Sequence, residues 1–326
     1  MTVNWGILGP GVIAHKFVKG LKVLAEADLC AVGSRSLERA VKFADKYNFR
    51  KAYGSYRDLV KDSEIDVIYV ATPHTFHKEH TLLAVEAGKS VLCEKPLAVN
   101  ALQAEEMIKS AEKNNVFLME AMWTRFLPVM KKVQEWINDG KIGKVRFLTA
   151  DFAFRTEVDP ETRLFNPELG GGALLDVGVY TVSLASLIFK EQPEQIEVVS
   201  DIGRTGVDEQ TGILLGYSEG EIAQLFCAAT TDTRDEARII GTEGSIYIPR
   251  FWQADTAILT RENDQERVEI PLRASGYNYE AEEVMNCLEK GQLESEIMSL
   301  KESLAIMKTM DKIREKIGLK YPVEEN

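Results

Sequence analysis

Val3-Asn4-Trp5-Gly6-Ile7-Leu8-Gly9-Pro10-Gly11-Val12-Ile13-Ala14 decides the fold of this chain. Residues 3–8 are a short apolar run of strand type, and an amphipathic segment follows the glycines, so the stretch reads as a strand, a tight turn and a helix. Small residues are required there. Gly9 permits the turn, Gly11 lets a pyrophosphate approach the backbone, and Ala14 lets the helix pack close to the strand. Phosphates then lie on the positive helix end, beside Val12 and Ile13. The pattern draws its force from its place between a strand and a helix, which marks a dinucleotide site.

Working outward, the alternation continues. Strand-like runs at 28–33, 65–71, 91–93 and 116–120 are separated by helical segments, with a short helix at 56–60, which predicts a parallel, doubly wound sheet. Ligands bind such sheets at the carboxyl ends of the strands, where Gly9, Arg35, Ala71-Thr72-Pro73 and Lys95 all fall. After the second strand an NAD site would place an acid for the ribose hydroxyls. This chain has Ser34-Arg35-Ser36 instead, with Arg39 one helical turn on, and a guanidinium between hydroxyls suits a 2′-phosphate. NADP is therefore expected over NAD, although Ser34 and Ser36 also suit a helix cap. His74, His77 and His80 are spaced by three without the acid that completes a metal-binding helix pattern, so no metal is expected. His74 and His77 are placed at a helix start near the cofactor, with His80 partly in solvent.

Val91-Leu92-Cys93 empties into Glu94-Lys95-Pro96, a strand end where Pro96 restricts the residue before it and so delivers Lys95 to a defined place. Alone, this is a strand end with a lysine facing water. Behind a phosphate-binding turn it becomes a candidate for catalysis.

Composition bounds the rest. A chain of 326 residues with 45% hydrophobic and 28% charged residues predicts a globular protein of two domains, taken as 1–121 and 122–326, with the last helices free to pack back on the first. A net charge of −12 and a pI near 5.1 argue against nucleic acid. Cys30, Cys93, Cys227 and Cys287 are far apart, with no CxxC pair, and read as reduced cysteines of a cytoplasmic protein. Neither export nor membrane insertion is expected.

In the second half, a helix is predicted over 123–140 from Leu127, Met130, Val133 and Ile137, then a long alternating strand at 145–154. Gly170-Gly171-Gly172 introduces a helix over 173–188. Strand-like runs at 195–199, 211–217, 222–230, 236–241, 245–248 and 256–260 follow with few helices between them, which suggests a large, open, mainly antiparallel sheet. Helices at 279–290 and 299–316 close the chain. The outer residues of that sheet are partly apolar, and self-association would cover them, so a homodimer is expected.

Taken together, Gly9-x-Gly11-x-x-Ala14, Ala71-Thr72-Pro73, Glu94-Lys95-Pro96 and Gly170-Gly171-Gly172-x-x-x-Asp176-x-Gly178-x-Tyr180 resemble the Gfo/Idh/MocA family of NAD(P)-dependent oxidoreductases. Glu120-Ala121-Met122-Trp123-Thr124-Arg125-Phe126-x-Pro128 is similar to the branch of dimeric dihydrodiol dehydrogenases, which also act on pentoses, and that branch carries tyrosine where many members have histidine. The resemblance implies a dimer through the C-terminal sheet and a cis Lys95–Pro96 peptide.

Hydride transfer to a carbonyl leaves an alkoxide that needs a proton. Asp176 and Tyr180, four apart in a predicted helix, share a face with Gly178 between them. Tyr180 is the expected proton donor, Lys95 favours its phenolate by charge and orients the substrate oxygen, and Asp176 holds a second hydroxyl or Lys95. Glu94 anchors the turn or contacts the nicotinamide ribose. Trp123, Arg125, Phe154, Trp252 and Tyr277 are candidates for the pocket of a cyclic polyol, where aromatic walls suit the apolar face of a ring. The expected activity is NADP-dependent hydride transfer at a secondary alcohol or hemiacetal carbon of a trans-dihydrodiol or aldose. The rivals are a dinucleotide-sensing regulator without chemistry and an enzyme that retains its nucleotide through a complete turnover.

Overall fold

The computed structural model describes residues 2–262 and 264–324. The chain forms two compact units. One comprises the residues up to Trp123 together with Arg273–Leu304, and the other Thr124–Leu272 together with the residues from Ala305 onward.

The first unit holds strands β1 (Val3–Leu8), β2 (Ala27–Gly33), β3 (Lys51–Tyr53), β4 (Val67–Val70), β5 (Ser90–Glu94) and β6 (Leu118–Ala121). They form one sheet in the order β3-β2-β1-β4-β5-β6, and every pairing is parallel. All four residues of β4 are buried, as expected of a central strand covered on both faces. Helices α1 (Val12–Leu21), α2 (Leu37–Tyr47), α3 (Tyr56–Val60), α4 (His77–Glu86) and α5 (Ala101–Asn114) connect the strands. Their starts follow local chemistry. Ser36 caps α2, Ser55 caps α3 and Asn100 caps α5, each accepting from a backbone N–H three residues on. Strand β3, three half-buried residues, has no periodicity to announce it and was not expected. Helix α8 (Asn278–Glu289) packs on α1, and Gly20 allows it: a Cβ there would lie 2.7 Å from the Asn278 backbone nitrogen.

The second unit contains α6 (Pro128–Asn138), α7 (Val179–Phe189) and strands β7 (Val145–Ala153), β8 (Gln195–Ile202), β9 (Asp208–Gly216), β10 (Ile222–Ala228), β11 (Ala237–Gly241), β12 (Ser245–Ile248), β13 (Thr256–Arg261) and β14 (Asp264–Glu269). Their order is β14-β13-β12-β11-β7-β10-β9-β8, antiparallel throughout except for the parallel β7–β10 pair. Edge strand β14, Asp-Gln-Glu-Arg-Val-Glu, was missed because an exposed charged edge carries no apolar alternation. The helix expected over 123–140 is two elements. A 3-10 turn, Trp123–Phe126, ends at extended Leu127, and Pro128 then starts α6 at the position where a missing N–H costs nothing.

One face of this sheet is covered by α6 and α7, and its other face carries an exposed apolar row. Pairing aligns Val199 with Gly212 and Phe226, and Ile240 with Phe147 and Ile222. Val199, Leu214, Ile222 and Ile240 thus lie on one face, all exposed. Pro167–Phe189 is apolar and long enough to cross a bilayer, but 83% of that window is buried, as in the core helix of a globular unit.

Candidate active site

The strand–turn–helix at the start of the chain builds a phosphate cradle. Gly9 has φ +99°, and a Cβ there would lie 2.9 Å from Thr72 Cγ2 and 3.0 Å from the Ala71 carbonyl oxygen, so only glycine lets the ends of β1 and β4 meet. Gly11 caps α1 without a side chain, and a Cβ there would lie in ordinary contact with the Ala71 oxygen at 3.7 Å. Ala14 is fully buried, whereas Val12 is exposed and Ile13 half-buried beside the cradle. This bare helix end fits the pyrophosphate of a dinucleotide.

The cleft continues past Ser34, Arg35, Ser36 and Arg39 to Thr72 and Pro73. Ser34 is buried and its Oγ accepts from the Ser36 N–H, while Ser36 caps α2. Among the described residues that line the cleft are two guanidinium side chains and no carboxylate. Tyr56, absent from the sequence expectations, forms a further wall beside Arg35 and meets the His80 ring edge-on at 4.6 Å. His80 is not partly in solvent. It is buried with Nδ1 3.0 Å from Thr72 Oγ1, and burial, reinforced by Arg35, pushes it down to about 4.

The Glu94-Lys95-Pro96 turn is clamped from three sides. Glu94, buried at the end of β5, accepts from the Tyr69 hydroxyl, and its second oxygen accepts from the Lys95 N–H at 3.2 Å. Tyr69 stacks on Phe17 at 3.7 Å. His77 Nδ1 lies 2.8 Å from the Pro96 carbonyl oxygen and Nε2 2.9 Å from that of Thr72. Glu120 accepts from the Leu97 N–H at 3.0 Å. His77 is fully buried between the two turns, and as a neutral ring with one N–H it donates to one of these two carbonyl oxygens. Burial pushes His77 down to about 4 against the pull of those carbonyls. His74 is buried beside it, Lys95 is half-buried, and the Lys95–Pro96 peptide is cis. The anchoring role considered for Glu94 acquires a partner here, Tyr69, which sequence spacing could not reveal. Glu280, fully buried on α8, is pushed well above the carboxylate range by burial and then by the charge of Glu94.

In the second unit, Gly170 (φ +71°) and Gly172 (φ +108°) bend the chain into Leu174–Gly178, which is a π turn and not the α-helix expected, with α7 following directly. The four-residue spacing of Asp176 and Tyr180 therefore spans a widened turn, of the kind frequent at functional sites. Asp176 pairs with Arg163 at 3.0 Å, a partner the sequence did not suggest. Gly178 is close-packed, since a Cβ there would lie 2.8 Å from Cys227 Sγ. Tyr180 is buried on the first turn of α7 with its ring 5.3 Å from Phe152, which stacks on Trp252 at 4.8 Å. Trp252 donates from Nε1 to Asp235. Phe152 on β7 was missed, and the predicted Phe154 lies just past the end of that strand, half-buried. Arg125 is buried and spends two donors on Ser183, at 2.9 Å to Oγ and 2.8 Å to the carbonyl oxygen. In the first unit, Trp123 and Tyr277 stack at 4.6 Å. Among the described residues no group of three or more His, Cys, Asp or Glu is arranged to hold a metal.

The chemistry available is thus a phosphate cradle, a cationic cleft beside it, a clamped lysine turn and a tyrosine against an aromatic stack. Residues 3–122 match the model of an oxidoreductase family with an NAD-binding Rossmann fold, and residues 130–247 that of the GFO/IDH/MocA C-terminal domain. A trans-1,2-dihydrobenzene-1,2-diol dehydrogenase of Xenopus tropicalis is 41% identical, covering 99% of this chain and 100% of the relative. Two solved structures share the fold. One is a 3-ketoreductase of Actinomadura kijaniata in complex with NADP, with TM-score 0.87, 24% identity, and coverage of 97% of this chain and 98% of its own. The other is a levoglucosan dehydrogenase in complex with NADH, with TM-score 0.89, 20% identity, and 98% coverage of each. The chain belongs to the Gfo/Idh/MocA oxidoreductases and is an NAD(P)-binding dehydrogenase acting on CH–OH groups.

Proposed function

We propose that the protein is a cytoplasmic, homodimeric, NADP-dependent oxidoreductase of cyclic polyols, its substrate a trans-dihydrodiol or an aldose. The observation that carries the nucleotide choice is the cleft lined by Arg35 and Arg39 with no carboxylate among its described walls. An acid there would repel a 2′-phosphate, and a planar guanidinium binds one through two parallel bonds. The ring substrate is supported by the Phe152–Trp252 stack against Tyr180 and by the full-length likeness to diol dehydrogenases.

When bound, the nicotinamide supplies or accepts the hydride; the chain's own residues handle binding, orientation and the proton. Gly9, Gly11 and the start of α1 receive the pyrophosphate, and Ser34, Arg35, Ser36 and Arg39 the adenosine side. Lys95, fixed by the hold of Tyr69, His77 and Glu120 on its turn, orients the substrate oxygen. Tyr180 Oη gives the substrate oxygen a proton in reduction and takes it in oxidation. Asp176, kept in place by Arg163, holds a second hydroxyl.

The exposed row Val199, Leu214, Ile222 and Ile240 is the dimer face in this reading, because an apolar sheet face of this kind is stably covered by a second copy of itself. The test is a panel of trans-dihydrodiols, pentoses and hexoses with NADP and NAD, followed at 340 nm. A net absorbance change, larger with NADP, is expected. Nucleotide binding without any turnover across the panel would favour a regulator instead.

A further inference from the structure

The π turn carrying Asp176 does not hold itself. Its N-cap residue, Ala173, has no side-chain oxygen to accept from the first free amides of the turn, and Gly170, Gly171 and Gly172 before it have no side chains at all. Glycines also give the unfolded chain the most freedom to lose. Something outside the segment must therefore fix where Asp176 and Tyr180 begin.

Two fully buried residues, distant in sequence, grip this turn. Asp208, the first residue of β9, accepts from the Leu174 N–H at 2.7 Å and from Thr211 Oγ1 at 3.0 Å, both through Oδ2, and so supplies the cap that Ala173 lacks. Its Oδ1 is buried without a hydrogen-bond partner and lies against Gly172, where a Cβ would come within 2.2 Å of it. Tyr321, in the segment after α9 (Leu300–Ile317), donates its hydroxyl to the Gly171 carbonyl oxygen at 2.7 Å. Tyr321 is itself locked. Arg314 lies 5.1 Å over its ring and binds Glu324 through two bonds, at 2.7 and 2.8 Å, and Glu324 accepts from the Tyr321 N–H at 2.8 Å.

We infer that Asp208 and Tyr321 are positioning residues of the reaction, which set the register of Asp176 and Tyr180 through the Gly171–Leu174 turn and make the segment after α9 part of the working site. This rests on the proposed catalytic roles of Asp176 and Tyr180. One group pulls on a carbonyl, the other on an amide three residues later. Losing either leaves the triple-glycine turn with its backbone bonds alone, Gly171 N–H to the Asn166 oxygen at 3.0 Å and Gly172 N–H to the Leu164 oxygen at 2.7 Å, and a displacement of about an ångström at a reacting group costs on the order of a hundredfold. A partial displacement costs less.

The test uses the full chain with trans-1,2-dihydrobenzene-1,2-diol and NADP. Tyr321→Phe keeps the ring over which Arg314 lies and removes only the donor to Gly171. We expect kcat to fall roughly tenfold, with KM for NADP and its affinity by fluorescence titration within about twofold of wild type. Asp208→Ala is expected to lose at least as much. Asp208→Asn keeps an oxygen for the Leu174 amide and is expected to retain more than about a third of kcat. A merely structural role would lower the melting temperature and leave kcat per folded molecule unchanged in Tyr321→Phe and Asp208→Ala, which overturns the inference. So does an Asp208→Asn as slow as Asp208→Ala. Tyr180→Phe is measured alongside: if it is impaired while both positioning variants run at the wild-type rate, only the inference falls, and if it too is unimpaired, the catalytic reading beneath falls with it.

Discussion

Replacing Asp208 by asparagine should stabilise the protein above neutral pH and do little in acid. The carboxyl is fully buried, accepts two hydrogen bonds through one oxygen and none through the other, and burial pushes it up to about 7 from an ordinary 3.8. The bonds from Leu174 and Thr211, and the more distant Arg314, pull the other way without prevailing. Because the folded state holds the proton more tightly than the unfolded chain, this group favours folding in acid. That advantage fades as pH rises from about 4 to about 7 and is gone above. Three units at about 1.4 kcal/mol each put the full change near 4 kcal/mol, an upper figure. Asparagine is neutral throughout and keeps an acceptor for Leu174. The difference between variant and wild type should thus be close to zero near pH 4 and reach about 2–4 kcal/mol at pH 8. For a unit of this size each kcal/mol moves the melting temperature by roughly 2–4 °C, so a gain of about 4–16 °C at pH 8 is expected by scanning fluorimetry across pH 4–8. Parallel curves for the two proteins, or a variant that loses ground as pH rises, would refute the reasoning.

Arg35→Ala should lower kcat/KM with NADP by roughly 10- to 100-fold and leave the NAD value nearly unchanged, since one charge-assisted contact is worth about 1.5–3 kcal/mol. An unchanged NADP preference would sink the assignment. Leu214→Glu, half-exposed in the apolar row of the second sheet, should turn a dimer into a monomer of 36.5 kDa in sedimentation at micromolar concentration. A wild-type chain that already sediments as a monomer would remove the dimer proposal.

Much of the fold is legible because it is local. Gly9 and Gly11 lie between an apolar run and an amphipathic one, and Ser36 announces a helix start within three residues of the amide it caps. Alternation located seven of the eight strands of the second sheet and failed only at β14, where charge replaces the apolar period. The site is less legible. Lys95, Asp176 and Tyr180 could be singled out, but their supports could not: Tyr69 is 25 residues from Glu94, and Tyr321 is 150 residues from Gly171. The π turn has no sequence signature in Leu-Leu-Asp-Val-Gly, being set by Asp208 and by the close approach of Gly178 to Cys227. His80 reads as a polar residue on a helix, and only the fold shows that Thr72 and Tyr56 bury it.

In the proposed function, Lys95 and Tyr180 both serve the hydride transfer. The most direct test of that is kcat for Lys95→Ala and Tyr180→Phe with trans-1,2-dihydrobenzene-1,2-diol and NADP at 340 nm, in folded protein that still binds the nucleotide. A loss of at least about a hundredfold in each is expected, the scale of general acid–base catalysis. Losses below about tenfold in both would contradict it.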